Sequence, residues 1–473
     1  MTANMDGPRW SSLLAHWHSG RGPRYTQLAG ALQGCIQGGQ LRNAERLPSE
    51  RHLAELLHLS RSTVVAAYEH LASEGWVSRR QGSGTHVAAA APRQTELLAL
   101  RSPLRAPAQS EGELDLSIAV PTLTPAQAVR LRAASADVFG ESAYHPLGLP
   151  ELRAHLAQLY SRDGLLTTPE QIIVTTGAQQ AISVVAGTFL KRGDGALLET
   201  PTYFGAIDVF RAAGAHLLGA AVTAQGVRPD ELRRHLQSGP RLAFLTPTFH
   251  NPTGSVLPAS SRERIAQSIA ETGVPTIEDE TLIDLGFEAL PPPRLASYAP
   301  GAPVICAGSL SKLYWAGLRV GWLRVPRALL APLVQTKTLQ DFGSSIPSQM
   351  IALRLLQDLP GLRAERRAAV QPARDSLVSL LRRHLPDWSF QVPGGGQFLW
   401  AELPTRNVSG YTHAARRLGV RLFPGASMAV NDLPDRYLRL PFTLPPEHLP
   451  EAVARLAAAW QGFRERDASE RLA

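Results

Sequence analysis

Apolar residues at helical spacing predict three short helices near the start of the chain. The first runs from Tyr25 to Gln37, the second begins at Pro48-Ser49-Glu50, and the third follows the N-cap residue Ser60 and ends at Gly75. Only a few residues separate the second helix from the third, which is typical of a helix-turn-helix. The apolar positions are Leu28, Leu32, Cys35, Ile36, Leu53, Leu56, Leu57, Val64, Ala67, Tyr68 and Leu71.

Two short extended segments follow the third helix, at residues 76–80 and 85–87. The Gln-Gly-Ser-Gly stretch at 81–84 between them is typical of a tight hairpin turn. A hairpin directly after a helix-turn-helix predicts a winged helix, in which the N-terminal residues of the last helix meet the major groove of DNA.

The pattern changes after the hairpin. Residues 88–112 show no periodicity and are rich in Ala, Pro and Ser, which predicts an exposed linker. Beyond them, candidate strands alternate with candidate helices, which favours an α/β domain with a mostly parallel sheet. We therefore expect a winged helix-turn-helix at 22–87, a linker at 88–112 and a large α/β domain at 113–465.

Composition and charge fit this division. The net charge of the 473-residue chain is +8, and residues 1–112 hold 12 Arg against 8 acidic residues, so positive charge is densest at the front. A basic first part is compatible with a nucleic-acid partner. The chain has no apolar run long enough to span a bilayer and no signal-peptide pattern, so we expect a cytoplasmic protein. Its two cysteines offer neither a disulfide framework nor a metal-binding spacing.

One lysine is placed as a reactive amine would be. Lys312 is one of only three lysines, and it follows Ser309 and Ser311 and precedes Arg319. A Lys amine condenses with the aldehyde of pyridoxal 5′-phosphate (PLP), whose phosphate needs hydroxyl donors and a guanidinium. Ser309, Ser311 and Arg319 can supply those groups. The stretch therefore predicts a PLP site with Lys312 as its catalytic residue.

A glycine turn follows the β-like run at residues 172–176 and leads into helical sequence. Backbone N–H groups at such a turn and the positive end of the helix both face an anion. The turn residues Gly177, Ala178 and Gln179 are therefore a candidate phosphate cradle.

Three further side chains come at the ends of predicted strands: Tyr203, Asn251 and Asp279. Ligand sites in open α/β sheets lie beyond the carboxyl ends of strands, so one pocket can hold all three. From the acidic run we select Asp279 for the site, and we expect Glu278 and Glu280 to face a helix or the surface. The strands concerned are predicted at 196–199, 242–245 and 275–277.

Each of these side chains meets a need of PLP chemistry. A carboxylate at Asp279 would keep the ring nitrogen protonated, and the amide of Asn251 would donate to the phenolic oxygen. Tyr203 would stack on the ring. Arg439 suits a bidentate bond to the carboxylate of a substrate or effector.

Short motifs in the first part resemble the GntR-type winged helix-turn-helix. They are Leu47-Pro48-Ser49-Glu50-Arg51, Leu59-Ser60-Arg61-Ser62-Thr63-Val64, Tyr68-Glu69-His70-Leu71, Glu74-Gly75-Trp76-Val77 and Gly82-Ser83-Gly84-Thr85. The resemblance implies that Arg51, Ser60, Arg61 and Thr63 contact DNA phosphates or bases and that Gly82 lies at the tip of the wing.

The large domain resembles the fold-type I, class I aminotransferases, because its candidate PLP residues occur in that family's order. The resemblance implies that Tyr144 reaches the cofactor phosphate of a partner subunit, and hence a homodimer. One residue departs from the family pattern: Thr281 stands where a Tyr is usual. A Thr hydroxyl is too short for the same contact to the cofactor, which affects catalytic competence more than binding.

The two resemblances together are those of the MocR subfamily of GntR regulators. They imply a homodimeric transcriptional regulator in which PLP, or an amino compound joined to PLP, modulates binding to a double-stranded DNA operator. Two alternatives stay open. The protein is an active PLP-dependent aminotransferase with an accessory DNA-binding domain, or its large domain is a dimerisation scaffold that never binds PLP.

Overall fold

The computed structural model describes residues 9–10, 13–14, 17–18, 23–37, 40–41, 45–73, 76–80, 84–87, 112–138, 144–288 and 292–472. The chain divides into two compact units, Met1–Ala99 and Leu100–Ala473. Of the predicted linker at 88–112, only Gly112 lies within the described residues. Among the helices described, none is both long and apolar enough to cross a membrane.

The described part of the first unit contains three helices and a hairpin. These are α1 (Arg24–Gln37), α2 (Glu50–Leu57), α3 (Arg61–Ser73), β1 (Val77–Arg80) and β2 (Gly84–Val87). Ser49 caps α2 by accepting a hydrogen bond from the backbone N–H of His52, and the Tyr68 hydroxyl of α3 donates to the carbonyl of Pro48 at 2.9 Å. Strands β1 and β2 are antiparallel, with Val77 opposite Val87. This is the winged helix-turn-helix expected from the sequence.

The apolar stripes of the three helices form the core of this unit. A buried cluster unites them because each stripe covers one face of its helix. Its members include Leu28, Leu32, Cys35, Ile36, Leu53, Val64, Ala67, Tyr68 and Leu71.

The second unit alternates strands and helices. Its strands are β3 (Leu114–Asp115), β4 (Ile172–Thr175), β5 (Gly195–Thr200), β6 (His216–Thr223), β7 (Gly226–Val227), β8 (Leu242–Leu245), β9 (Thr276–Asp279), β10 (Val304–Ser309), β11 (Gly321–Arg324), β12 (Ser389–Phe390), β13 (Phe398–Glu402), β14 (Val420–Arg421), β15 (Phe423–Pro424) and β16 (Tyr437–Pro441). Its helices are α4 (Pro125–Ala134), α5 (Pro150–Arg162), α6 (Ala178–Phe189), α7 (Phe204–Ala212), α8 (Pro229–Gln237), α9 (Ala259–Thr272), α10 (Leu295–Tyr298), α11 (Leu330–Asp341), α12 (Ile346–Leu356), α13 (Leu359–His384), α14 (Val408–Arg417) and α15 (Leu449–Leu472).

A large sheet forms the centre of this unit, in the order β4-β11-β10-β9-β8-β5-β6-β7. Its central strands, from β10 to β6, are parallel. Strand β11 runs antiparallel to β10 and β4, and β7 runs antiparallel to β6. Apolar clusters cover both faces of the sheet, which explains why β8 and most of β10 are continuous apolar runs. The predicted α/β fold with a mostly parallel sheet is confirmed.

A smaller antiparallel sheet, β12-β13-β16-β15, forms the carboxyl-terminal part of the unit. Helices α13, α14 and α15 pack with it around a separate apolar cluster that includes Tyr411, Trp388 and Trp460. This sheet carries Arg439 on β16.

Glu278 and Glu280, which we expected to face a helix or the surface, both contact helices and neither lies at the surface: Glu278 lies against the first residue of α10, and Glu280 against Tyr160 of α5. Their relative exposures are only 1% and 5%. Glu280 accepts hydrogen bonds from Tyr160 at 2.7 Å and Arg294 at 2.8 Å, and Glu278 accepts from the backbone N–H of Leu295. Buried carboxylates are tolerated because they are paired and hydrogen-bonded in this way.

Candidate functional site

A cavity of about 610 Å³ lies beyond the carboxyl ends of the central strands. Strand β9 ends at Asp279 and β10 ends at Ser309, the segments after β4, β5, β8 and β10 supply further side chains, and Arg439 comes from β16. Neighbouring parallel strands end at the same edge of the sheet, so residues distant in sequence meet there. Ten predicted site residues line the cavity: Ala178, Gln179, Tyr203, Asn251, Asp279, Ser309, Ser311, Lys312, Arg319 and Arg439.

Lys312 lies in this cavity, and its Nζ donates a hydrogen bond to the carbonyl of Ala119 at 2.5 Å. Burial lowers the pKa of the Lys312 amine to about 8, and the positive charges of Arg439 and Arg319 act in the same direction. The carboxylate of Asp279 opposes that shift. A lowered pKa increases the fraction of neutral amine, which is the nucleophilic form.

Asp279 is buried at the end of β9, and burial raises the pKa of its carboxyl group. Its Oδ1 accepts a hydrogen bond from the backbone N–H of Thr281 at 2.9 Å, and the Thr281 hydroxyl also bonds to the carboxylate. Both bonds favour the ionised form and oppose the effect of burial. The hydroxyl of Thr281 is therefore directed to Asp279.

Arg319 and the start of α6 form a cradle for an anion. The Arg319 guanidinium donates to the carbonyl of Thr176 at 2.8 Å, and a Cβ added to Gly177 would lie 3.0 Å from the same guanidinium. Gly177 has a positive φ of 83° and no side chain to cap the helix, so N–H groups of the first turn of α6 remain available for an anion.

The position of Gln179 in the first turn of α6 suggests that its side chain binds an anion, but this side chain is bonded to other residues. Its side chain accepts a hydrogen bond from the Tyr203 hydroxyl at 2.9 Å and donates to the carbonyl of Gly205 at 3.2 Å. These bonds fix the ring of Tyr203 and engage both ends of the Gln179 amide.

Two serines stand beside Lys312. The hydroxyls of Ser309 and Ser311 are 2.9 Å apart, and Ser309 also accepts from the backbone N–H of Ser311 at 3.1 Å. These bonds fix the turn after β10 from which Lys312 projects.

Arg439 is 2% exposed and has aromatic rings on its faces, including that of Phe398 at 4.6 Å. It donates to Asn251 Oδ1 at 3.3 Å and to the carbonyl of Ser117 at 2.5 Å. Burial lowers the pKa of its guanidinium to about 9. Within the described residues its Nε has no hydrogen-bond partner and no carboxylate forms an ion pair with it. A buried guanidinium of this kind is a receptor for an anionic group.

One wall of the cavity was not predicted from the sequence. Residues 118–120 line it, and the carbonyls of Ser117 and Ala119 accept hydrogen bonds from Arg439 and Lys312. Backbone carbonyls carry no sequence signal, so no motif identifies them. Asp208 on α7 also lines the cavity and was not predicted.

Tyr144 does not line the cavity of its own chain. It is 86% exposed, and its ring centroid lies 6.5 Å from that of Phe342, which is 63% exposed. Two exposed aromatic rings side by side are unusual on a protein surface that meets only water.

The predicted DNA contacts lie at the start of α3 and on α2. The Ser60 hydroxyl accepts from the backbone N–H of Thr63 at 3.1 Å and lies 2.7 Å from the Thr63 hydroxyl, so it caps α3. Arg61 is exposed in the first turn, and Arg51 is exposed on α2 beside Glu55 at 3.2 Å. Gly82 lies outside the described residues.

Arg46 is a basic residue that the sequence reading missed. Its guanidinium lies against Gly84 of the wing, 3.2 Å from the position of an added Cβ, and Arg46 pairs with His86 in an antiparallel bridge. The sequence signal that could have identified Arg46 was its position one residue before the motif at 47–51.

Comparison with known proteins gives matches to both units. The family model described as "Aminotransferase class I and II" matches residues 111–456, and the one described as "Bacterial regulatory proteins, gntR family" matches residues 24–87.

Two named regulators align with most of the chain. The "Uncharacterized HTH-type transcriptional regulator YisV" of Bacillus subtilis is 29% identical over 82% of this chain and 86% of its own length. The "Probable rhizopine catabolism regulatory protein MocR" of Rhizobium meliloti is 29% identical over 77% of this chain and 78% of its own. Among solved structures, LysN, the α-aminoadipate aminotransferase of Thermus thermophilus complexed with N-(5′-phosphopyridoxyl)-L-leucine, superposes with a TM-score of 0.70 and 30% identity. That alignment covers 75% of this chain and 94% of LysN.

Proposed function

Because this chain belongs to the MocR subfamily of GntR-type regulators, with a class I and II aminotransferase domain, we propose that it is a PLP-dependent transcriptional regulator. PLP, or an amino compound joined to PLP, binds in the cavity of the second unit and changes the affinity of the first unit for a DNA operator. As a regulator of transcription, the protein acts in the cytoplasm.

The observation that supports this proposal most directly is the position of Lys312. Its amine lies in one cavity with Asp279, Arg319 and Arg439, and burial lowers its pKa to about 8. The residues fit PLP, since the cavity combines a nucleophilic amine, an anion cradle and a buried carboxylate. PLP, when bound, supplies an aldehyde for condensation with a primary amine and a ring that accepts electrons.

Each residue has a defined task in this proposal. Asp279 holds a proton at the ring nitrogen, Asn251 donates to the phenolic oxygen, and Tyr203 stacks on the ring. The phosphate is held by Arg319, the hydroxyls of Ser309 and Ser311, and the N-terminus of α6 at Gly177, Ala178 and Gln179.

The effector is an amino compound with a carboxylate. Arg439 binds that carboxylate, because its guanidinium is buried and carries no carboxylate partner among the described residues. The amino group of the effector competes with Lys312 for the cofactor.

DNA binding is assigned to the start of α3 and to α2. Arg51 and Arg61 are exposed cations, and Ser60 and Thr63 are hydroxyl residues at a helix N-terminus, where phosphates bind well. Gly82 is assigned to the tip of the wing by its motif.

We also propose that the regulator is a homodimer in which Tyr144 reaches the cofactor phosphate of the partner subunit. The exposure of Tyr144 and Phe342 supports this arrangement, since a second copy would cover both rings. Sedimentation of the purified protein tests it. Dissociation to monomers on Tyr144→Ala or Phe342→Ala is expected, and a wild-type monomer at micromolar concentration would contradict it.

The function is tested by measuring binding to DNA upstream of the protein's own gene, at fixed salt, with and without PLP. A scrambled fragment of equal length is the control, since non-specific binding depends on salt and not on sequence. Specific binding that PLP alters is the expected result. Equal affinity for both fragments with and without PLP would contradict the proposal.

A second candidate is an active aminotransferase with an accessory DNA-binding domain. It is favoured by the presence of Lys312, Asp279, Asn251 and Arg439 in one cavity. Multiple turnovers with an amino donor and a 2-oxo acid would support it. The third alternative, a dimerisation scaffold, predicts no bound cofactor after purification with excess PLP.

A further inference from the structure

The segment at residues 116–120, which we name the strap, lies between the two cations assigned to ligand binding. The carbonyl of Ala119 accepts a hydrogen bond from Lys312 Nζ, and the carbonyl of Ser117 accepts one from Arg439, each at 2.5 Å. Ile118, Ala119 and Val120 of the strap line the same cavity. The strap is therefore bonded, through its backbone, to the groups that a ligand would use.

A ligand changes both of these hydrogen bonds. A carboxylate is charged and bonds to a guanidinium more strongly than a neutral carbonyl does, so it competes with Ser117 at Arg439. The nitrogen of Lys312, once it is joined covalently to a cofactor, keeps fewer N–H groups than an ammonium has. The bond from Lys312 to Ala119 is then weakened or lost.

The strap has few other fixed points in its middle. Among the described residues, the bond from Lys312 is the one that reaches the backbone between Ile118 and Val120. Its carboxyl-terminal side leads into α4, where Thr124 and Gln127 form a capping box. Changes at Ser117 and Ala119 therefore act on a segment held firmly only at its ends.

A polar chain leads from the strap toward the linker. Ser117 donates to Asp115 Oδ1 from its backbone N–H at 2.8 Å and from its hydroxyl at 2.6 Å. Arg421 lies 3.7 Å from Asp115 and 2.7 Å from Glu113. Glu113 directly follows Gly112, the last residue of the predicted linker. The polar chain thus ends at Glu113, beside the end of the predicted linker.

We propose that the strap senses the occupancy of the cavity: ligand binding at Lys312 and Arg439 frees it, and Asp115 and Arg421 pass the change to the linker. This inference rests on the proposed function, because it requires PLP at Lys312. The strap is then the element that couples the ligand site to the DNA-binding unit. The ligand acts by favouring one of two arrangements of the strap.

Hydrogen exchange followed by mass spectrometry on the full chain tests the proposal, with PLP alone as the probe. The amides of Leu116 and Ser117, which donate to the Arg421 carbonyl and to Asp115, are expected to exchange about tenfold or more faster with PLP, since loss of the bonds to the strap carbonyls loosens the segment that holds these amides. Helix α9 is the internal control, because it lies outside the cavity lining. Bound PLP, seen by its visible absorbance, with unchanged or slower exchange in the strap would overturn this inference alone. Absence of bound PLP would overturn the proposed function and this inference with it.

A pair of variants tests the coupling. Ser117→Ala removes the hydroxyl bond to Asp115 but keeps the carbonyl, and the control Ser135→Ala removes a hydroxyl bond to the Leu131 carbonyl in α4. Ser117→Ala is expected to bind PLP normally while the effect of PLP on operator affinity falls by about threefold or more. Ser135→Ala is expected to keep the full effect. An undiminished effect in Ser117→Ala would overturn the coupling.

Discussion

Asn251 Oδ1 accepts a hydrogen bond from Arg439, with the two heavy atoms 3.3 Å apart. Because the amide oxygen is engaged in this bond, the NH₂ group of Asn251 remains to donate to a ligand oxygen. The residue proposed for the cofactor's phenolic oxygen and the residue proposed for a carboxylate therefore orient each other.

Asn251→Asp is expected to weaken PLP binding by about 1.5–3 kcal/mol, because it replaces the NH₂ donor with an acceptor beside an oxygen anion. Titration of PLP followed by absorbance measures the change. Asn407→Asp is the matched control, since Asn407 caps α14 by accepting from the Gly410 N–H and Asp caps equally well. Unchanged affinity in Asn251→Asp would show that Asn251 is not a donor to the cofactor.

Lys312→Ala is expected to abolish covalent attachment of PLP while leaving the fold and the basal DNA affinity intact. The measurement is the mass of the protein after borohydride treatment with PLP, together with its visible absorbance. Lys191→Ala serves as the control, because Lys191 is exposed and lies outside the cavity. A covalent adduct in Lys312→Ala would refute the assignment.

The rate of PLP attachment should follow the titration of Lys312. The neutral amine is the nucleophile, so the rate is expected to rise with pH and to level off above about 8, far below the ordinary lysine value of 10.5. Arg439→Gln removes a positive charge and should move this midpoint up, whereas Asp279→Asn removes a negative charge and should move it down. Stopped-flow absorbance over a pH series measures the midpoint. Shifts of the opposite sign would contradict the electrostatic account.

Thr281→Val should make PLP binding more sensitive to acid. The lost hydroxyl bond stabilises the ionised form of Asp279, so the pKa of this carboxyl group, already raised by burial, rises further. The pH below which PLP occupancy falls then moves upward. Thr272→Val is the control, since its hydroxyl bonds to the Ser268 carbonyl within α9. An unchanged acid limit would mean that Thr281 does not tune Asp279.

Arg61→Ala is expected to weaken specific operator binding by about 1–3 kcal/mol if Arg61 reads a base edge. If Arg61 contacts a phosphate, binding should weaken on all sequences. The slope of log affinity against log salt concentration should then decrease in magnitude by about one. Fluorescence anisotropy at several salt concentrations separates the two cases. Arg233→Ala, an exposed Arg paired with Glu271 in the second unit, is the control. Unchanged operator affinity would remove Arg61 from the DNA site.

Much of the site could be predicted because strand ends are visible in sequence. Ser309 ends an apolar run and Asp279 ends a short β-like segment, and parallel strands bring their ends together without any further information. The winged helix was predictable for a similar reason, since short helices with clear caps such as Ser60 depend on local signals.

The other features of the site could not be predicted, because they depend on contacts between backbone and side-chain atoms that are distant in sequence. The bond from Lys312 to the Ala119 carbonyl joins residues 193 positions apart, and a carbonyl is present in every residue. The buried hydrogen bonds of Glu280 were not predicted, because its partners, Tyr160 and Arg294, lie far from it in sequence or beyond a turn. Charge alone predicts exposure, and only the pairing reverses that expectation.

The direction of strand β11 determines how Lys312 and Arg319 are spaced. Because β11 runs against β10, its first residue, Gly321, pairs with Ser309 at the last residue of β10 and with Thr175 at the end of β4. The Lys312 amine and the Arg319 guanidinium thus belong to one reversal of the chain, the loop from β10 to β11. Both ends of this loop are fixed in one sheet. This reversal therefore sets the distance between the amine that would join the cofactor and the guanidinium that would hold its phosphate. Insertions elsewhere leave that distance unchanged, whereas one extra residue between Lys312 and Arg319 would alter it directly.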